Sequence, residues 1–202
     1  MCAENLRYGA SDDIRRRSRM TIAEPEIILV PFVQSDDVWT VKDDILIRVY
    51  DKLIEDKILH VIFCDGTIRS AEEMSVFFKN PGNYPVFILA DGKLSGFAWL
   101  TSPKGNYAFG HFCFFREAWG KNTLPLGKEI LKYWFNFNMN GNHVFDIILG
   151  LVPTANSRAL KYIRNLGGKA VGKIPHVVHD AYRGKKTSAM LFYFESNHLQ
   201  KD

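Results

Sequence analysis

The sequence predicts a single α/β domain whose sheet is mixed, mostly antiparallel and covered by helices on both faces. Three observations carry this. The runs "PVFILA" and "KLSGFAWLTS" flank Asp91-Gly92, the pair that a tight two-residue hairpin turn favours. The stretch "VFDIILGLV" is apolar on both faces, as a central strand between two helical layers must be. Finally, "NSRALKYIRNLGG" sets an Asn before an amphipathic stretch and a glycine pair after it, the start and stop of a helix.

Composition agrees with a globular domain. The 202 residues are 47% hydrophobic and 24% charged, with a formal charge of +4, ordinary for a folded protein and too mildly basic to indicate nucleic acid. Much of the positive excess lies in "RRRSR", Arg15 to Arg19. Residues 1–24 are therefore expected to be a disordered basic tail, and 25–202 the domain. Contact of that arginine run with an acidic partner or nucleic acid is the alternative. Cys2, Cys64 and Cys113 show no metal spacing and no even disulfide framework, so reduced thiols and a cytoplasmic setting are expected. Neither a membrane-spanning run nor a signal-peptide core is evident, so no membrane association is expected.

Along the chain, "EIILVPF" reads as a first strand closed by Pro31. Val41, Ile45, Val49, Leu53 and Ile58 then recur at helical spacing, with Ser35 or Thr40 as cap. Ser70 and Glu73 form a capping box for a short second helix that stops at Asn80. Beyond the hairpin, "YAFGHFCFF" supplies a third antiparallel strand. A long loop leads to a helix in which Leu126, Ile130, Leu131, Trp134 and Phe135 share one face. After the buried strand, Asn156 caps a helix whose stop is Gly167 or Gly168. Two last strands, "KAVGKI" and "TSAMLFYFE", are separated by the polar loop "PHVVHDAYRGKK".

This element order, together with "N-S-R-A-L-K-Y-I-R-N-L-G-G", resembles the GCN5-related N-acetyltransferase (GNAT) superfamily and its Asn-x-x-Ala/Ser … Leu-Gly-Phe pattern. Gly168 stands where that family usually has Phe. The loop "W-G-K-N-T-L-P-L-G-K" resembles the family's Gly-rich pyrophosphate loop in its Gly120-Lys121 entry. Asn122 and Leu124, however, occupy the positions of the two motif glycines, and the next glycine is Gly127. The segment "GKIPHVVHDAYRGKKTSAMLFYF" resembles small GNAT-like acyltransferases of phages and prophages.

The resemblance implies a splayed parallel pair of strands, "YAFGHFCFF" and "VFDIILGLV", and acetyl-CoA or another acyl-CoA as cosubstrate, with no metal. It implies direct transfer of the acyl group to an amine, borne by a small molecule or a protein. Gly120, Lys121, Asn122, Gly127, Lys128 and Asn156 are the expected cofactor contacts. As general base the candidates are His111 and Glu117, with a satisfied core histidine and a solvated carboxylate as the alternatives. The family's acid is often a Tyr seven positions after the Asn. That position here is Ile163, and Tyr162 lies one residue, about 100° of helix, away. Tyr162 is thus a displaced candidate acid, or a packing residue. His176, His179, Asp180 and Tyr182 are candidates to line the acceptor side, and a metal on the two histidines lacks a third ligand. A GNAT-fold binding or regulatory protein without efficient catalysis is the alternative function.

Overall fold

The computed structural model describes residues 25–120, 123–139 and 141–196. The tail with Arg15 to Arg19 lies outside the described residues, as do Lys121 and Asn122. Strand β1 (Ile27–Pro31) is followed by a two-residue-per-strand hairpin, β2 (Gln34–Ser35) and β3 (Val38–Trp39). Three helices come next: α1 (Asp43–Glu55), the single turn α2 (Leu59–Ile62) and α3 (Ala71–Lys79). Strands β4 (Asn83–Ala90), β5 (Lys93–Lys104) and β6 (Tyr107–Phe114) form a meander, and a 3-10 turn (Arg116–Ala118) leads to α4 (Thr123–Phe135). A minor hairpin, β7 (Asn138–Met139) and β8 (Asn142–His143), precedes β9 (Ile147–Pro153), α5 (Ser157–Asn165), β10 (Lys169–Asp180) and β11 (Lys185–Glu195).

The main sheet has seven strands in the order β1-β4-β5-β6-β9-β11-β10. Every neighbouring pair is antiparallel except β6 and β9, which run parallel. Strand alternation divides the core into two layers. Val86, Ile88, Ala98 and Leu100 pack on one face with Leu126, Ile130 and Trp134 of α4 and Ile163 of α5. Phe87, Phe97 and Trp99 pack on the other with Leu46, Val49 and Leu53 of α1 and Met74 and Phe78 of α3. Helices thus cover both faces. No helix among the described residues is long and apolar enough to cross a membrane.

Local chemistry explains most boundaries. Asp91 and Gly92 both take positive φ, 49° and 73°, the backbone that a twisted two-residue hairpin needs. The Ser70 hydroxyl accepts from Glu73 N at 3.2 Å, while the Glu73 carboxylate accepts from Arg69 N rather than from Ser70 N. Asn156 Oδ1 accepts from Ala159 N at 3.1 Å, and Gly167 at φ 96° ends α5.

Three expectations are corrected. The first helix starts at Asp43, and neither Ser35 nor Thr40 caps it: Thr40 Oγ1 donates to Pro31 O and accepts from Val33 N, tying the β2–β3 hairpin to β1. Lys57, at φ 56°, then breaks the run before Leu59. Helix α4 begins at Thr123, with Pro125 in its first turn, where a missing N–H costs nothing. The polar segment after Ile174 is not a loop down to Lys186. Strand β10 continues to Asp180 through an irregularity between Ile174 and Val178, where His176 takes φ 55°.

Candidate active site

The site begins with a ladder that stops. Strands β6 and β9 pair only at Tyr107–Ile147, Ala108–Ile148 and Phe109–Leu149, although both continue for several residues. Phe115 N donates to Ser95 O and Thr154 N donates to Ser188 O. By alternation, the main-chain groups of Phe112 and Leu151 therefore face each other across the gap, outside the ladder. The sheet opens there into a wedge of unused hydrogen-bonding backbone at its centre. Gly110 lets the wedge start close to α4, since a Cβ there would lie 2.7 Å from Ile148 Cγ2 and 2.8 Å from Trp134 Cζ3.

Tyr162 of α5 walls the wedge on the α4 side. Its ring meets Phe112 and Phe114 edge-on, with centroids 6.1 and 5.6 Å apart, and its hydroxyl donates to Thr123 O at 3.2 Å. Burial pushes its pKa up, so the phenol keeps its proton. Gly127 is part of the same contact. It is buried in α4, where a Cβ would lie 1.9 Å from the Tyr162 hydroxyl. Its missing side chain serves helix packing rather than an open loop.

His111 occupies the opposite face. It stacks on Trp99 at 4.6 Å between centroids, and its Nε2 lies 2.9 Å from Thr101 Oγ1. Burial lowers its pKa to about 4, against a smaller opposing effect of Asp65, so the imidazole is neutral near pH 7. Glu117 is exposed in the 3-10 turn, within electrostatic reach of Lys52 on α1. The three candidate acid–base residues are therefore not brought together: one lies on each side of the sheet and one outside.

The rim of the wedge is built by contacts over long sequence distance. Asp56, 5% exposed, accepts from Arg116 N at 2.8 Å and pairs with Lys52 at 3.4 Å, while Arg116 Nε donates to Asp56 O. Trp119 Nε1 donates to Phe114 O at 2.9 Å. The guanidinium carbons of Arg116 and Arg158 lie 5.4 and 5.2 Å from the Trp119 ring centre. Gly120 takes φ 102°, and Thr123 N and Oγ1 both turn back to its carbonyl, which starts α4. Lys128 is exposed a turn further along α4, and Asn156 stands at the start of α5. Arg116, Trp119 and Arg158 were not singled out by sequence reasoning. The Arg158 contact joins residues nearly forty positions apart, and no local pattern signals it.

The β10–β11 hairpin closes the far side. Its tip runs past the end of β9, where Ala181 N donates to Cys64 O at 2.8 Å and Tyr182 packs edge-on to His60. Asp180 is tied to Arg183, and burial, reinforced by Asp65 and Asp180, pushes the Cys64 thiol up. His176 lies at the β10 irregularity, away from the tip. No three His, Cys, Asp or Glu side chains among the described residues are grouped to hold a metal ion. A depression of about 480 Å³ between β1 and the last turns of α4, lined by Leu29, Lys132 and Tyr133, lies at the end of α4 remote from the wedge.

Solved structures share this architecture. A spermidine N-acetyltransferase from Vibrio cholerae, in complex with CoA and spermine, superposes with a TM-score of 0.65 at 14% identity, covering 87% of this chain and 98% of that one. A ribosomal L7/L12 alpha-N-protein acetyltransferase in complex with coenzyme A gives 0.62 at 7% identity, over 77% and 90% of the two chains. A probable acetyltransferase gives 0.61 at 13%, over 78% and 91%. No family model matches the sequence, and no curated protein does. The likeness is one of fold, and the fold is that of the GNAT acetyltransferases.

Proposed function

We propose that the protein is an acyl-CoA-dependent N-acyltransferase, with acetyl-CoA as the first donor to test, that transfers the acyl group directly to an amine. The observation that carries this reading is the interrupted β6–β9 ladder. It leaves main-chain donors and acceptors of Phe112 and Leu151 facing a slot that an extended amide-bearing arm would satisfy as an added strand does. The pantetheine portion of coenzyme A is such an arm. Its phosphates would fall at the start of α4, near Gly120 and Lys128, where amide N–H groups and the helix dipole favour anions. Lys121 and Asn122 belong to the same loop by sequence, and Asn156 would stand at the thioester end.

In direct transfer, the amine nitrogen bonds to the thioester carbonyl carbon, the C–S bond breaks, and the amine proton and the leaving thiolate must each be served. Tyr162, held protonated by burial, is the candidate proton donor to the thiolate. His111, neutral near pH 7, is the candidate acceptor on the other face, in preference to Glu117 beside Lys52. The acceptor amine would approach between α2 and the β10–β11 tip, past His179, Asp180 and Tyr182. The structural neighbours act on spermidine or on a ribosomal protein N-terminus by their names, which supports a primary amine as the acceptor class.

Thermal melting tests the donor. A ligand that binds only the native state at a hundred times its Kd adds about 2.7 kcal/mol, so saturating acetyl-CoA should raise the Tm by several degrees. Absence of a shift with every CoA thioester and with free CoA refutes the reading. The scattered acid–base candidates and the missing loop glycines favour a second reading, a binding protein on the same fold. It is separated by mass spectrometry of amine pools after incubation with acetyl-CoA: binding without acylated product selects it.

A further inference from the structure

Two arginines from different elements meet on one exposed indole at the mouth of the wedge. Arg116 comes from the turn after β6, and Arg158 from the first turn of α5. Their guanidinium carbons lie 5.4 and 5.2 Å from the Trp119 ring centre. Neither guanidinium pairs with a carboxylate among the described residues: the Asp56 carboxylate is taken up by Lys52 and by Arg116 N, and Arg116 Nε reaches only the Asp56 carbonyl. The arrangement is nonetheless braced. Trp119 Nε1 is held by Phe114 O, Arg116 by Asp56, and the start of α5 by the Asn156 cap. Trp119 itself is 40% exposed, so the charges face solvent.

We propose that Arg116 and Arg158 bind the 3′-phosphate of the donor's ADP portion, and so make the protein select coenzyme A over donors that lack this phosphate. The proposal rests on the acyl-CoA reading given above. Both guanidinium carbons lie within 5.4 Å of one ring centre, so two positive charges stand close to a single exposed indole, and a phosphate that reaches both gains from each. A phosphomonoester carries a charge of about −1.5 to −2 at pH 7 and offers three acceptor oxygens. That matches two planar guanidinium forks better than it matches a singly charged diester oxygen. The position is also right for a terminal group. The pyrophosphate would lie at the loop that opens α4, and both arginines stand outside that loop, on the exposed rim. The side-chain clamp further supplies donor affinity that a loop lacking the motif glycines provides less well.

Isothermal titration with coenzyme A and with 3′-dephospho-coenzyme A tests this on the full chain. The expected result is binding of coenzyme A about tenfold tighter than the dephospho form, the size of a charge-assisted hydrogen bond. R158Q should remove most of that preference while leaving dephospho-coenzyme A binding unchanged. R158K, which keeps the charge and loses the fork, should fall between. Arg158 is exposed, so the fold is expected to survive; ligand-free melting checks this, and R158K carries the comparison if R158Q melts early. Equal binding of the two ligands by the wild-type protein, or the same preference in R158Q, overturns the proposal and leaves the acyl-CoA reading standing. Binding of neither ligand overturns both.

Discussion

Replacing Gly127 by alanine tests how α4 and α5 jointly hold the wall of the wedge. The added methyl would lie 1.9 Å from the Tyr162 hydroxyl and 3.0 Å from Leu166 Cδ2, so the tyrosine must move. Alanine is worth about 1 kcal/mol over glycine in a helix. Against that stand overpacking of about 1–3 kcal/mol and loss of the Tyr162–Thr123 hydrogen bond, about 1 kcal/mol net. The expected balance is a loss of about 1–3 kcal/mol, or several degrees in Tm for a chain of this size. Y162F removes the colliding oxygen, after which the nearest atoms, Tyr162 Cζ and Leu166 Cδ2, are 3.0 Å away. In that background, Gly127→Ala should be close to neutral. Urea denaturation of the wild type, both single variants and the double variant gives the coupling directly. A coupling below about 0.5 kcal/mol would show that Tyr162 is not what excludes a side chain at position 127.

Further outcomes follow from groups already described. His111 is held neutral in the fold, with its pKa lowered to about 4 from 6.5. The unfolded chain therefore takes up its proton as the pH falls below about 6.5, while the folded chain resists until about 4. The contribution is full above pH 6.5 and falls by about 3 kcal/mol through that window; denaturation of His111→Gln between pH 7 and pH 4 should show a correspondingly flatter slope. Asn156→Ala should cost about 1 kcal/mol through the lost cap, and Asn156→Ser should restore most of it in the same melts. Asp56→Ala leaves the Arg116 N–H without its buried acceptor and takes one of two carboxylate partners from Lys52, which keeps Glu55 at 3.2 Å. A loss of about 2–4 kcal/mol is expected, with faster amide exchange at Arg116 as the local readout.

Legibility in the sequence followed the range of the interaction. Asp91-Gly92, the Ser70 and Asn156 caps and the Gly167 stop each act on their own turn of chain as their residue types suggest. Glu73 completes only half of the capping box and turns its carboxylate to Arg69 N. The start of α1 was misread because Thr40, a good cap by type, spends its hydroxyl on Pro31 and Val33. The extent of β10 was hidden because an edge strand need not alternate: Val171, Ile174 and Val177 are all exposed, and the His176 backbone absorbs the irregularity. Gly127 was expected to contact the cofactor, as the next glycine after the motif positions held by Asn122 and Leu124, and only the approach of α5 reveals its packing role. The clamp on Trp119 is tertiary throughout. The residues that suggested the fold were thus local, and those that shape the site belong to separate elements brought together by folding.

The contact of Ala181 with Cys64 has a consequence for the order in which the molecule takes shape. The first helices and the meander can collapse on each other as soon as β6 is made, since α1, α3, β4 and β5 share a core of neighbouring residues. The wall opposite α2 belongs to the last hairpin, and β9, α5, β10 and β11 must be synthesised before it can dock. Contacts of such sequence separation form late and slowly. A nascent chain thus carries an open, unfinished wedge until β10 and β11 have been made and have docked against α2.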